Sequence, residues 1–580
     1  MSAINLSAER RRRLLTRVVP LLALSLGAFI VGIAVGTSPD APAATRFLTA
    51  WEDGDYEAMY DELTPASSGE FTLEQFRRTY EAALATATID DVDAGEVREE
   101  GDAGRAEISF ETRIFGELGG ELVLPINDDA IAWGPELVFP GLAEGERLTR
   151  RTRAPPRAAI RAADGSPLAR GPAAARTIAT PALAVVGEVS APRRAQEAEL
   201  AASGFPPGTL TGSSGLELAF NERLAGQPGG QLLASSAAQE SSLGGGRELA
   251  STEPVAGKAV RTTIDPKLQE AAVGALGGLY GGVAVLDARK GSVLALAGLG
   301  YSAPQPPGST FKIVTTTAAL DEGLVKTSDE FPVEISNSDI GREIANAHDA
   351  PCGGSFVESF ADSCNTVFAP LGVKVGAERL VETAELYGFN SPPALFNDEA
   401  MAALEPPAST LPTELDSTVA VGATAIGQGE VLATPLMLAS IAQTIANEGT
   451  RMPTPLAKAK ELEPDAKPIE VTSPETAATI RELMIEVVNS GTGVAAGLSG
   501  VQVAGKTGTA ELGPAALEPG QTLGPDEEPP QELDAWFTAF APASKPSLAV
   551  AVMIVDADGD GGTVAAPIAR QVLATGLGVE

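Results

Sequence analysis

Pro306-Pro307-Gly308-Ser309-Thr310-Phe311-Lys312 is the stretch of sequence that best predicts the fold. The Pro-Pro-Gly run ends any preceding element, and the residues from Phe311 to Leu320 can form a helix. We therefore expect Ser309 at a helix start, where the helix dipole favours an attacking alkoxide. Lys312 shares that helix face. A lysine whose pKa falls from about 10.4 on desolvation can take the serine proton, so the two residues are a candidate nucleophile and base.

Two motifs further along the chain strengthen the interpretation of Ser309 and Lys312 as nucleophile and base. A four-residue pattern arises easily by chance, and an N-cap serine followed by a solvated lysine would explain it equally well. However, Ser363-Cys364-Asn365 and Lys506-Thr507-Gly508-Thr509 follow in that order. Ser-x-x-Lys, Ser-x-Asn and Lys-Thr-Gly together are the set typical of penicillin-binding proteins and serine β-lactamases.

The flanks of these motifs extend the resemblance. Ile426-Gly-Gln-Gly-Glu430, Ser490-Gly-Thr-Gly493 and Ala535-Trp-Phe537 look like parts of a transpeptidase domain. The chain resembles class B penicillin-binding proteins, which are monofunctional peptidoglycan D,D-transpeptidases. Thr211-Gly-Ser-Ser-Gly-Leu-Glu217 is similar to their pedestal or dimerisation module, although Arg157-Ala158 stands where an Arg-Gly pair is usual.

The resemblance implies a role for each motif residue. Ser309 would attack the penultimate D-Ala carbonyl of a stem peptide and form an acyl-enzyme, while Lys312 accepts its proton. Ser363 would relay a proton to the leaving amine, and Asn365 would hydrogen-bond Lys312 and the substrate. In the third motif, Lys506 would supply positive potential, and Thr507 and Thr509 would bind the substrate carboxylate. The Gly508-Thr509 segment and the Ser309 N–H would form the oxyanion site.

The same resemblance suggests ligands and partners. The substrates would be peptidoglycan stem peptides, β-lactams would be inhibitors, and other cell-wall synthesis proteins are candidate partners. No metal or cofactor is implied. Three alternatives remain: a D,D-carboxypeptidase, a β-lactam sensor and a non-catalytic scaffold of the cell-wall machinery.

Composition excludes several other classes of protein. The net charge of −36 repels phosphate backbones, so we expect no nucleic-acid partner. His348 is the single histidine, which disfavours Ser-His-Asp triads and zinc sites and fits a surface role. A length of 580 residues predicts several domains.

The N-terminus predicts a membrane anchor. Arg10 to Arg13 and Arg17 precede the uncharged run 18–36, which would span roughly 28 Å as a helix. The positive-inside rule makes 1–17 a cytoplasmic tail and places the catalytic part outside the cell membrane, in a single-pass topology. The alternative is a cleaved signal peptide ending near Ala41-Pro42-Ala43, but the apolar run is long for one.

We expect a multidomain α+β protein beyond the anchor. Helical patterns around Trp51 and Tyr80, then strands at 105–112, 119–124 and 130–139, predict an α+β domain at 44–150 that resembles the cystatin-like domain of resistance-type members.

The pedestal would occupy 151–261, with a loose loop or hinge at 225–252. The transpeptidase domain would be 262–580, an antiparallel sheet with helical layers. Its sheet would contain a hairpin at 282–296 and strands at 501–506, 535–541 and 548–555, a mobile loop would lie at 513–532, and a helix at 565–577 would end the chain.

Cys352 and Cys364 are the only cysteines. Outside the cytoplasm they could form a disulfide that braces the Ser363 loop, or they could be two buried free thiols.

Overall fold

The computed structural model describes residues 41–236, 239, 245–514 and 531–579. The predicted tail at 1–17 and anchor at 18–36 lie outside these ranges. Within the described part of the chain, no helix has both the length and the apolar character needed to cross a bilayer.

The described helices and strands fall into two compact units whose segments alternate along the chain between residues 156 and 255. The helices are α1 (Ala43–Glu52), α2 (Tyr56–Asp61), α3 (Pro65–Glu70), α4 (Leu73–Ala87), α5 (Leu183–Val186), α6 (Arg194–Ala202), α7 (Gly215–Ala219), α8 (Asn221–Ala225), α9 (Pro266–Leu276), α10 (Lys312–Asp321), α11 (Phe356–Ala361), α12 (Asn365–Val375), α13 (Ala377–Tyr387), α14 (Asp398–Leu404), α15 (Thr418–Ala425), α16 (Pro435–Ala446), α17 (Pro474–Asn489) and α18 (Ala566–Leu577). The strands are β1 (Ile89–Ala94), β2 (Arg98–Glu100), β3 (Ala103–Thr112), β4 (Gly116–Asn127), β5 (Ala130–Ile131), β6 (Glu146–Arg153), β7 (Ile160–Arg161), β8 (Pro167–Arg170), β9 (Thr177–Ile178), β10 (Val189–Ser190), β11 (Thr211–Gly212), β12 (Gly229–Ser236), β13 (Arg247–Thr252), β14 (Val260–Arg261), β15 (Gly281–Asp287), β16 (Val293–Gly298), β17 (Glu330–Glu334), β18 (Ser336–Asn337), β19 (Ile344–Ala345), β20 (Cys352–Ser355), β21 (Thr450–Arg451), β22 (Ile469–Glu470), β23 (Ala504–Pro514), β24 (Gln531–Ala541) and β25 (Leu548–Ile554).

One compact unit comprises the described part of Met1–Pro155 together with Arg193–Pro207 and Gln227–Val255. Its first sheet has the order β1-β3-β4-β5, and its second sheet has the order β13-β12-β6. Helix α4 begins with a capping box in which Thr72 and Gln75 satisfy each other's backbone N–H. The aromatic residues of the two predicted helical patterns belong to the core, since Phe47, Trp51 and Tyr80 are at most 2% exposed.

The other unit comprises Pro156–Pro192, Gly208–Gly226 and the described part of Ala256–Glu580. Its central antiparallel sheet has the order β16-β15-β25-β24-β23, so strands far apart in sequence are neighbours. Strand β25 is buried along its whole length because helices cover both faces of the sheet. Strand β23 lies at the end of this order and carries the Lys-Thr-Gly motif.

Residues 151–261 contribute to both units. Segments 193–207 and 227–255 belong to the first, and 156–192 and 208–226 to the second. The boundaries of the pedestal module stay a prediction.

The hinge predicted at 225–252 is wrong for its described residues. Strand β12 pairs with β6 on one side and β13 on the other, and Leu232 and Leu233 are buried. A strand in the middle of a sheet is held by backbone hydrogen bonds on both sides, so Gly- and Ser-rich sequence can form one without a regular alternation of large side chains.

Two other predicted boundaries change. The strand expected at 130–139 stops at Ile131, and Pro135–Val138 is a 3-10 turn because proline cannot donate to a ladder. Most of the loop expected at 513–532 lies outside the described residues, but its ends at Gly513–Pro514 and Gln531–Glu532 are already paired in β23 and β24.

Candidate active site

Ser309 lies in a 3-10 turn, Gly308–Phe311, that leads directly into α10. Gly308 has φ +53°, and a Cβ there would collide with the carbonyl oxygen of Thr509. Its N–H donates to the carbonyl oxygen of Gly427 at 3.0 Å. Glycine is needed because the β23 backbone passes so close, and this closeness places the serine turn against the Lys-Thr-Gly strand.

Lys312, the first residue of α10, is fully buried. Its Nζ donates to the Ser363 carbonyl oxygen at 2.6 Å, to Asn365 Oδ1 at 2.8 Å and to Ser363 Oγ at 3.2 Å. The Phe368 ring centroid lies 5.4 Å away. Burial, with a further contribution from the charge of Lys506, lowers the pKa of Lys312 well below its usual value.

Lys506 approaches the same serine from β23. Its Nζ donates to Ser363 Oγ at 2.8 Å and to the Thr507 carbonyl oxygen at 3.2 Å, and the Phe360 ring centroid lies 5.6 Å away. Burial lowers the pKa of Lys506 to about 7. Ser363 Oγ therefore accepts from both ammonium groups, which is the geometry a proton relay requires.

The Ser-x-Asn segment is held by unusual local structure. Ser363 has φ +64°, a left-handed conformation that non-glycine residues rarely adopt. Next to it, Cys364 is bonded to Cys352 of β20, with Cα atoms 5.4 Å apart. Asn365 Nδ2 donates to the Ala345 carbonyl oxygen at 2.9 Å. Covalent and polar contacts thus fix the loop that presents Ser363.

The Lys-Thr-Gly strand is aligned by neighbours on both sides. A Cβ on Gly508 would lie 2.6 Å from the carbonyl oxygen of Pro307, so this glycine also allows close approach to the serine turn. The Thr507 and Thr492 hydroxyl oxygens are 2.6 Å apart. Thr509 Oγ1 accepts from the Gly561 N–H at 3.3 Å, which leaves its own proton free to donate.

Thr492 is a site residue that the sequence motifs did not identify. It belongs to the Ser490–Gly493 flank, and only the fold brings it to Thr507. Phe360 and Phe368, which form the apolar surroundings of the two lysines, also carry no motif. Their i, i+8 spacing would have suggested ordinary core residues.

His348 lies outside this cluster. Its Nε2 is 3.7 Å from Asp560 Oδ2 and its side chain is 74% exposed. Among the described residues, no three His, Cys, Asp or Glu side chains are grouped so that they could hold a metal ion.

The arrangement defines a class of protein. A serine turn, a fully buried lysine on the same helix, a Ser-x-Asn loop and an adjoining Lys-Thr-Gly strand make a serine acyl-transfer site of the penicillin-binding type. Comparison with protein families agrees. Residues 281–574 match the penicillin-binding protein transpeptidase domain, and residues 39–146 match the NTF2-like N-terminal transpeptidase domain. The chain belongs to the penicillin-binding protein transpeptidase family.

Individual relatives are consistent with this assignment. The peptidoglycan D,D-transpeptidase PbpA of Mycolicibacterium smegmatis is 34% identical over 382 residues, which cover 55% of this chain and 72% of that protein. The Mycobacterium tuberculosis protein of the same name is 35% identical, over 55% of this chain and 72% of its own. A solved structure of penicillin-binding protein A from M. tuberculosis as a penicillin G acyl-enzyme is 28% identical, with a TM-score of 0.53, and covers 73% of this chain and all of that one.

Proposed function

We propose that the protein is a peptidoglycan D,D-transpeptidase that cross-links stem peptides through an acyl-serine intermediate and is acylated by β-lactams. The observation that carries this is the convergence of the Lys312 and Lys506 ammonium groups on Ser363 Oγ, at 3.2 and 2.8 Å, beside the Ser309 turn. The relatives named as D,D-transpeptidases and the acyl-enzyme structure support the same activity.

Acylation uses the neutral form of Lys312. Its lowered pKa leaves an amine that takes the Ser309 proton as Oγ attacks the penultimate D-Ala carbonyl carbon. The tetrahedral intermediate collapses when the C–N bond to the terminal D-Ala breaks. Ser363, which lies between the two lysines, relays a proton to the leaving nitrogen. An ester on Ser309 and free D-Ala are the products.

Transfer reverses the proton path. The amine of a second stem peptide attacks the ester carbonyl, loses its proton through the same groups and forms an amide, while Ser309 regains its hydrogen. Asn365 holds Lys312 in place at 2.8 Å during both steps.

The β23 strand binds the other end of the donor peptide. Lys506 and the Thr507 and Thr509 hydroxyls recognise the terminal carboxylate, and the N–H groups of Ser309 and Thr509 stabilise the oxyanion. Gly308 packs against the Thr509 backbone, so the Ser309 and Thr509 N–H groups belong to neighbouring segments, which supports this role. In other acyl-transfer enzymes one such donor contributes about 3 to 4 kcal/mol.

The membrane part of the proposal rests on sequence. The uncharged run 18–36 behind five arginines supports a single anchor with an extracytoplasmic catalytic part. Domain boundaries at 44–150, 151–261 and 262–580 are proposed with it. Other proteins of cell-wall synthesis are proposed partners.

Intact-protein mass spectrometry with penicillin G tests the nucleophile. We expect one covalent adduct on the wild-type protein and none on Ser309→Ala. Ser190→Ala is the matched control, because Ser190 is exposed and, among the described residues, its hydroxyl bonds only the carbonyl oxygen of its neighbour Ala191. An adduct that survives Ser309→Ala would overturn the assignment.

A donor peptide ending in D-Ala-D-Ala then separates transfer from hydrolysis. With an acceptor amine present, we expect the cross-linked product to exceed the hydrolysed donor. Hydrolysis alone, at a rate that the acceptor does not change, would identify a D,D-carboxypeptidase.

A further inference from the structure

A cavity of about 180 Å³ lies in the larger unit, which also contains the motif residues. Its walls come from the C-terminal end of α13 and the loop after it, the first half of α16, strand β21 with the residues that follow it, and strand β22 with the residues that precede it. Met437, Met452 and Ile469 supply apolar wall, and Ser440, Arg451 and Lys467 supply polar groups. None of the motif serines, lysines or threonines lines it.

Arg451 is the partly buried charge in this cavity. Its guanidinium packs on Gly388 so closely that any side chain at that position would collide with Nη1. Within the described part of the chain, it has neither an ion pair nor a side-chain hydrogen bond. By contrast, the buried guanidinium groups of Arg157 and Arg176 both bind Glu217. Burial lowers the pKa of Arg451 without an opposing carboxylate.

The packing on Gly388 explains where Arg451 sits but not what it binds. Helix α13 ends at Tyr387, so the guanidinium lies at the negative end of a helix dipole. This contact uses none of the five N–H donors of the guanidinium. A planar guanidinium with free donors matches a carboxylate, which it can bind through two parallel hydrogen bonds.

The other polar residues of the lining are basic or uncharged. Lys467 is exposed and has no ion pair among the described residues. The Ser440 hydroxyl also lacks a hydrogen-bond partner there, although the residue is only 6% exposed. No Asp or Glu lines the cavity, in a chain with 77 acidic and 41 basic residues. A basic cavity within so acidic a protein favours anions.

We propose that this cavity binds a small organic carboxylate, with its anionic end on Arg451 and Lys467 and a compact apolar body against Met437, Met452 and Ile469. The cavity volume is below the range typical of drug-sized pockets, which favours a small body of about one ring. This site is independent of the acyl-transfer reaction proposed above.

Benzoate and its neutral analogue benzamide test the proposal on the full chain, by isothermal titration and ligand-observed NMR. We expect benzoate to bind one site and benzamide to bind about tenfold more weakly or not at all. Arg451→Met should weaken benzoate about tenfold or more. Arg481→Met is the control, since Arg481 lies on α17 and pairs with its neighbour Glu482.

A second variant covers the case in which Arg451→Met fails to fold. Ser391→Asp places a carboxylate at the exposed rim, and we expect it to weaken benzoate several-fold while the melting temperature stays unchanged. Three results would overturn the proposal: no benzoate binding, equal affinity for benzoate and benzamide, or benzoate binding unchanged in Ser391→Asp. Unchanged binding in a folded Arg451→Met protein would do the same, because it would place benzoate elsewhere, for example on Lys506.

Discussion

Arg157 and Arg176 are buried around a carboxylate, whereas Lys312 and Lys506 are buried around a hydroxyl. Glu217 lies 2.6 Å from Arg157 and 2.7 Å from Arg176, and all three side chains are at most 4% exposed. Ser363 Oγ accepts from both lysines, and no carboxylate among the described residues pairs with either of them. Both clusters are buried in the same unit. They differ in the group that the cations surround, which is a carboxylate in one and a hydroxyl in the other.

The difference separates a structural charge from a reactive one. Burial also lowers the pKa of Arg157, but Glu217 opposes this, and an arginine does not deprotonate in proteins. Neutral oxygens stabilise an ammonium group only partly, so the buried lysines lose protons more easily. The first cluster joins the Arg157 and Thr211–Glu217 segments permanently, while the second can take up and release a proton.

Removing the reactive charge should give the largest effect. In Lys312→Met we expect the rate of acylation by penicillin G to fall by about 10²- to 10⁴-fold, the usual contribution of a general base. Stability should not fall, because the variant removes a buried charge that lacks a carboxylate partner.

Stopped-flow acylation and urea unfolding measure these two quantities. Lys374→Met is the control, because Lys374 is exposed and its single hydrogen bond within the described part of the chain goes to the Leu324 carbonyl oxygen. Wild-type acylation by Lys312→Met would show that another group acts as the base.

Breaking the structural cluster should act on stability instead. Glu217→Gln leaves two buried guanidinium groups without a carboxylate, which should lower the free energy of unfolding by about 3–5 kcal/mol. Glu253→Gln breaks the exposed pair with Arg153 and should cost less than about 1 kcal/mol. Chemical denaturation measures both. Equal losses in the two variants would contradict the distinction between buried and exposed pairs.

The pH dependence should follow the lysines. Lys506 has a pKa of about 7, so its positive charge is lost as the pH rises through that value, and carboxylate recognition weakens. Lys312 must be neutral to act as the base, so the acylation rate should be bell-shaped with an alkaline limb near pH 7. Lys506→Arg should remove that limb, because arginine does not titrate there. An unchanged limb would mean that another group sets it.

The lowered pKa of Lys506 also predicts how the free energy of unfolding changes with pH. The unfolded lysine has a pKa of about 10.4, so the unfolded state binds more protons between pH 7 and about 10.4, and the contribution of Lys506 to stability rises with pH in this window. Unfolding of wild type and Lys506→Met across the window should show a smaller pH slope in the variant.

The smallest expected effect is at Thr492. Thr492→Val removes the 2.6 Å hydroxyl contact to Thr507 and the 3.3 Å hydrogen bond to the Ala361 carbonyl oxygen. The lost contact to Thr507 corresponds to a decrease of about two- to tenfold in kcat/KM for the donor peptide. Thr479→Val is the control, because the Thr479 hydroxyl donates to the Glu475 carbonyl oxygen of its own helix and to no other group in the ranges that the structure describes. Identical kinetics in both variants would mean that Thr492 does not align Thr507.

Local patterns predicted much of the transpeptidase fold. The hairpin of β15 and β16, strand β25 and helix α18 lie within a few residues of their expected bounds, because long apolar runs and turn residues specify them locally. Strands β12 and β13 were missed, since their stability comes from pairing partners that the local sequence does not show. The Arg451 cavity was not predicted either, because its walls come from segments that are separate in the sequence.

The sequence by itself determined the chemical groups and their order along the chain: a serine, a lysine three residues later, a Ser-x-Asn segment and a Lys-Thr-Gly strand. Only the tertiary structure decided their distances, their burial and hence their protonation. Lys506 and Ser363 are 143 positions apart, yet their atoms lie 2.8 Å from each other. The physical reason is that a pKa depends on desolvation and neighbouring charge, and both are properties of the folded surroundings rather than of the motif.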